Sequence, residues 1–186
     1  LYLSRSPYLP DARGGAELST HALLRALVGR GWRVECLCAA DPVASPLARG
    51  CLLELRRQGR SSGTVVDRAL GYVCRRVLAT APGADPWAAA LAEALAQTLA
   101  AFRPDAVIGY PDPFCPLLAR AATLGIPAWF MAHNLAAAEL GRPLPDGVAV
   151  IANSPYTAAR LQPLTRRPVR IVLVIVEPAE YSATDA

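Results

Sequence analysis

Few folds accommodate the order in which this chain begins: an apolar run, a glycine loop, an amphipathic repeat, then a second apolar run. Leu1 to Leu3 is short, apolar and followed by turn residues, which predicts a buried strand. From Ala16 onward, Leu23, Leu24, Leu27 and Val28 recur at helical spacing and define one apolar face. Gly31 lies just past that repeat, where a left-handed residue closes a helix. Arg33 to Ala39 then reads as a second strand. A strand–helix–strand unit pairs its strands in parallel through a right-handed crossover, so the chain is directed toward an α/β sheet from its start.

The pair Gly14-Gly15 opens the helix of that unit. A helix N-terminus offers unpaired N–H groups and the positive end of the dipole, and glycines there admit an anion to the backbone. The same glycines also suit a plain turn. The loop is neither Gly-x-Gly-x-x-Gly nor a P-loop with Lys-Ser/Thr, so those nucleotide fingerprints are absent.

Further along, Ser45-Pro46 reads as an N-cap with proline at the first helical position, opening a short helix toward Gly59. Thr64 to Val77 fits a helix, but its β-branched and aromatic content favours a hairpin between Val65–Arg68 and Tyr72–Arg76, turning at Leu70-Gly71. Asp85-Pro86 starts a helix striped by Trp87, Leu91, Leu95, Leu99 and Phe102, and Arg103-Pro104 ends it. Ala106 to Tyr110 is a strand with the exit loop Pro111-Asp112-Pro113, and Phe114 to Leu124 a helix closed by Gly125. Pro127 to Ala132 and Val148 to Ala152 are strands, Asn153-Ser154-Pro155 caps a helix to Leu161, and Arg170 to Val176 is the last strand. The expected fold is therefore a three-layer α/β domain with a mostly parallel sheet of six to seven strands. Ligands of such sheets bind beyond the carboxyl ends of the strands, where Gly14, Gly15, Glu17, Asp112, His133, Asn134 and Ser154 converge. Ser154 suits a helix cap better than a ligand, and His21 is expected on the helix surface.

At 186 residues the chain fits one domain and buries roughly 70% of its unfolded surface. All 19 basic residues are arginine, and the net charge of +4 is spread along the chain. Without an aromatic-studded basic motif, no nucleic-acid partner is expected. Five cysteines, an odd number without a Cys-x-x-Cys pair, point to a reducing compartment. Cys36 and Cys38 share one face of the second strand and pack as small hydrophobes. No apolar run is long enough to span a bilayer. A cytoplasmic location is expected, with peripheral attachment at the inner membrane left open.

The ordered motifs resemble a family. Gly-Gly-Ala-Glu-Leu-Ser-Thr (14–20) followed by Leu-Leu-Arg-Ala-Leu-Val-Gly-Arg-Gly-Trp-Arg-Val (23–34) is similar to the N-terminal half of retaining GT-B glycosyltransferases of family 4. Arg103-Pro104-Asp105-Ala106-Val107-Ile108, Gly125-Ile126-Pro127-Ala128 and Val150-Ile151-Ala152-Asn153-Ser154 follow in the family's order. The resemblance implies a Rossmann-like N-terminal, acceptor-side domain over residues 1–176, with 177–186 starting a linker to a C-terminal donor-binding domain. That second domain would carry the basic residue for the diphosphate and a Glu-x7-Glu motif, neither of which can be matched here. The domain alone is accordingly expected to be inactive.

The resemblance also implies roles. Gly14 and Gly15 would approach the diphosphate of a nucleotide-sugar donor, with Glu17 bracing that loop. His133 would contact the transferred sugar or the acceptor, against the plainer reading of a strand-end histidine bonded to backbone. Asp112 and Asn134 would bind hydroxyls of an acceptor (saccharide, lipid or small molecule) or else form turns. The implied reaction moves a sugar with retention of configuration, needs no cofactor and no metal, and agrees with the absence of Asp-x-Asp. Two alternatives are a non-catalytic α/β module binding a phosphorylated small molecule, and another GT-B enzyme such as a nucleotide-sugar epimerase.

Overall fold

The computed structural model describes residues 1–80, 87–110, 116–135 and 143–173. The apolar runs become β1 (Tyr2–Pro7), β2 (Glu35–Ala39), β3 (Ser62–Asp67), β4 (Val73–Ala79), β5 (Val107–Tyr110), β6 (Ala128–Ala132), β7 (Val148–Ala152) and β8 (Arg170–Ile171). They form one sheet of eight strands in the order β3-β4-β2-β1-β5-β6-β7-β8. Every neighbouring pair is parallel except the β3–β4 hairpin. The count exceeds the expected six to seven because both hairpin strands join the sheet and the short β8 adds to its other edge.

The helices are α1 (Gly15–Gly29), α2 (Pro46–Arg57), α3 (Trp87–Phe102), α4 (Pro116–Thr123) and α5 (Pro155–Leu161). Alternation along the strands builds a core on each face of the sheet. Leu3, Leu37, Val107, Phe130 and Val150 pack against the stripe Leu91, Leu95 and Leu99 of α3 and against Leu117 and Leu118 of α4. On the other face Tyr2, Cys36, Cys38, Cys74 and Met131 pack against Leu24 of α1. The result is three layers, a Rossmann-like α/β domain. Gly31 adopts φ 84° just past α1, a left-handed conformation that glycine supplies without a Cβ penalty. Ser45 and Ser154 cap α2 and α5, accepting hydrogen bonds from the N–H groups of Ala48 and Thr157.

One expectation is overturned: His21 is buried, not on the helix surface. Its Nδ1 lies 2.8 Å from the Tyr72 hydroxyl, supplied by the turn that leads into β4. The first half of α1 thus buries Ser19, Thr20 and His21 against the sheet, while Leu23, Leu27 and Val28 of the apolar stripe are only partly covered. Several expectations lie outside the described residues: the Asp85-Pro86 helix start, the Pro111-Asp112-Pro113 loop, the first residues of the Phe114 to Leu124 helix, the end of the last strand, and the linker at 177–186. Among the described residues no helix is long and apolar enough to cross a membrane.

Candidate functional site

Crossovers leave β1 in one direction through α1 to β2, and return from β4 through α3 to β5 on its other side. The order of winding reverses between β1 and β5, and this switch point is where open α/β sheets bind ligands. The β1 exit leads to the N-terminus of α1, and the β6 exit places His133 and Asn134 beside it.

Gly14 is the N-cap of α1 in an extended conformation, without a side-chain cap. Glu17, three residues on, turns back over it, so that a Cβ built on Gly14 would stand 2.7 Å from Glu17 Oε2. The carboxylate faces the positive end of the helix dipole, a favourable pairing. A Cβ on Gly15 would meet nothing within 4 Å, so that side of the loop is open.

His133 is half-buried at the end of β6. Its Nε2 lies 3.4 Å from Thr20 Oγ1, one turn beyond Glu17 on α1. The Tyr110 ring meets the imidazole edge-to-face at 5.0 Å. Burial holds the imidazole below its ordinary value of 6.5, with the Glu17 charge offsetting part of the effect. His133 is therefore neutral at neutral pH, with one ring nitrogen donating and the other accepting. Its carbonyl accepts from Asn153 Nδ2 at 3.0 Å, and Asn134 Nδ2 donates to the Tyr110 hydroxyl at 3.3 Å. Burial raises the Tyr110 phenol, Glu17 adds to that rise, and the Asn134 bond opposes it.

Of the residues singled out in the sequence, Gly14, Glu17, His133 and Asn134 share this neighbourhood, with Gly15 on its open side, and Asp112 lies outside the described residues. Ser154 caps α5. Sequence reasoning missed Thr20 and Tyr110. Thr20 carried a weak signal, three residues after Glu17 and hence on the same helix face. Tyr110 carried another, as a polar-tipped aromatic at a strand end. What these groups form is a hydrogen-bonding cluster of His133, Thr20, Tyr110 and Asn134 next to a glycine-fronted helix terminus over which the Glu17 carboxylate is turned.

Metal-capable side chains gather elsewhere. Cys36, Cys38 and Cys74 place their sulfur atoms within 4.8 Å of one another, buried behind α1. Burial raises the Cys36 thiol well above its ordinary value, which suits packing as a small hydrophobe.

The fold defines an α/β domain of the doubly wound class, with a polar cluster at its switch point. The family description Glycosyltransferase Family 4 matches residues 13–175, and the chain belongs to that family. A comparison with curated proteins gives no match. Membership supports a glycosyltransferase, with a sugar donor and an acceptor as its substrates in general, over a non-catalytic module or an epimerase.

Proposed function

We propose that this domain is the acceptor-side half of a retaining glycosyltransferase that uses a nucleotide-diphosphate sugar. The observation that carries the reading is the placement of His133 and Thr20 beside the glycine-fronted N-terminus of α1. In the reaction the bond from the anomeric carbon to the leaving phosphate oxygen breaks, and one to the acceptor oxygen forms. The nucleoside diphosphate departs with the electron pair, and the proton of the acceptor hydroxyl passes to the departing phosphate oxygen. Negative charge grows on the leaving phosphate, and N–H groups fixed at Gly14 and Gly15 would stabilise it. The diphosphate would displace the Glu17 carboxylate from the helix terminus, since both seek the same positive end of the dipole. Neutral His133 would hydrogen-bond a hydroxyl of the transferred sugar or the acceptor, and Asn134 the acceptor.

A C-terminal domain would grip the nucleotide, and the reaction would proceed without a metal or cofactor. The test uses the full-length protein with a panel of nucleotide sugars in the presence of a chelator. Nuclear magnetic resonance should show a glycoside with the donor's anomeric configuration. An inverted product, or activity abolished by the chelator and restored by a divalent cation, would overturn the corresponding part of the reading.

A further inference from the structure

Between β1 and α1 the chain turns through Tyr8 to Arg13, and this turn decides where Gly14 and Gly15 present their N–H groups. The turn is held by a cation from two strands away. Arg76 lies on β4, its side chain only 3% exposed. Its Nε donates to Asp67 Oδ2 of β3 at 3.0 Å. Nη1 donates to the Tyr8 carbonyl at 3.4 Å and lies 3.6 Å from Asp11 Oδ2. Nη2 donates to the Leu9 carbonyl. The Asp11 side chain is equally buried at 3%, and its Oδ2 also accepts the Asp41 N–H at 3.4 Å, just past β2. The exit of β1 and the edge strand β3 thus meet on one guanidinium, and the exit of β2 joins them through Asp11.

We propose that Arg76 is a positioning residue for the glycine loop, fixing the β1 exit so that Gly14 and Gly15 face the site. The proposal rests on the reading of that loop as the donor-phosphate side. Burying a guanidinium is costly, and an apolar side chain of similar volume stabilises a core at least as well. A cation whose donors go to two loop carbonyls and a loop carboxylate specifies a conformation. The planar fork reaches several acceptors at once, which the single ammonium of lysine does not. Tyr8 carries the constraint onward to α1. Its carbonyl is held by Arg76, while its hydroxyl lies 3.1 Å from that of Tyr72 and 3.5 Å from the Glu17 carbonyl.

Hydrogen exchange on the full-length protein reads the loop without any ligand. The N–H groups of Asp11 and Ala12 both donate to the Tyr8 carbonyl, at 2.9 and 3.2 Å. In Arg76→Lys these two amides should exchange at least about tenfold faster while those of α3 stay unchanged. Uridine diphosphate, titrated by calorimetry, reads the consequence. Arg76→Lys and Asp11→Asn should each weaken it by about tenfold or more, whereas Asp67→Asn, which frees the cation only from β3, should stay within about twofold. Unchanged exchange at Asp11 and Ala12 in folded Arg76→Lys overturns the proposal. So does equal uridine diphosphate affinity across the folded variants, which leaves Arg76 a structural cation only. If the parent protein binds none of the uridine, guanosine, adenosine and thymidine diphosphates, the donor-side reading of the loop fails and the exchange comparison alone decides the role of Arg76; if it binds another of these, that nucleotide replaces uridine diphosphate in the titration. Should Arg76→Lys not fold, Asp11→Asn carries both measurements, and the same outcomes support or overturn the proposal.

Discussion

His133 lies within reach of the Glu17 charge, and each residue makes a separate prediction. On the proposed function, replacing His133 by alanine in the full-length enzyme would remove one hydrogen bond to a substrate hydroxyl, so kcat should fall by about tenfold, or ~1.4 kcal/mol. Its melting temperature should move by no more than about 2 °C; a larger drop with unchanged turnover would make the histidine structural. The imidazole also links stability to pH. Its folded-state proton affinity lies below that of the unfolded chain, whose ordinary value is 6.5. As pH falls through that value the unfolded chain takes up the proton first. The stabilisation is therefore complete above 6.5 and is lost as pH drops toward the depressed folded value. Urea unfolding of the parent and of His133→Gln, compared at about pH 7.5 and 5.5, should show the parent losing more stability than the variant at the lower pH. Glu17→Gln should act in opposite directions on two quantities. Losing the carboxylate at the helix terminus lowers stability by about 0.5–1 kcal/mol. Losing the competing charge tightens uridine diphosphate binding. Weaker binding in a folded Glu17→Gln protein would show instead that the carboxylate supports the ligand.

Elements were legible where their signals are local. Ser45-Pro46 and Asn153-Ser154-Pro155 mark two helix starts because caps are written in adjacent residues. The α3 stripe and the Leu70-Gly71 turn between β3 and β4 were equally local. The buried side of α1 was not, because the partner of His21 is Tyr72, 51 residues away. Arg76 was hidden for the same reason: Arg75 and Arg76 look alike in sequence, yet alternation sends them to opposite faces of β4. Arg75 pairs with Glu35 at 2.6 Å, and Arg76 turns to the β1 exit loop. Of the site, the glycine loop and His133 could be anticipated from strand-exit positions, whereas Thr20 and Tyr110 needed the packing of α1 against β5 and β6. The seating of α4 on β5 makes a prediction at this scale. A Cβ on Gly109 would stand 2.9 Å from both methyl groups of Leu118. Gly109→Val should therefore push α4 outward and cost about 1–3 kcal/mol in urea unfolding. A variant as stable as the parent would mean that α4 shifts freely on the sheet.

For the molecule as a whole, folding and catalysis should separate. Apolar cores cover both faces of the sheet around β1 and β2, and they bury enough to support independent folding at this size. Residues 1–186 expressed alone should accordingly unfold in one cooperative transition. On the proposed function, catalysis would need a second, donor-gripping domain. Its site offers a glycine-fronted helix terminus and a neutral histidine, which would touch one side of a diphosphate and of a sugar. No Glu-x7-Glu pair, the motif that the resemblance implies for such a domain, occurs in residues 1–186. Contacts on one side alone correspond to a dissociation constant near millimolar or weaker, about 4 kcal/mol of binding. Calorimetry of the isolated domain with several nucleotide sugars should therefore detect at most millimolar affinity, and a coupled assay no sugar transfer. Micromolar binding, or transfer by residues 1–186 without another domain, would show that the switch-point cluster is a complete site.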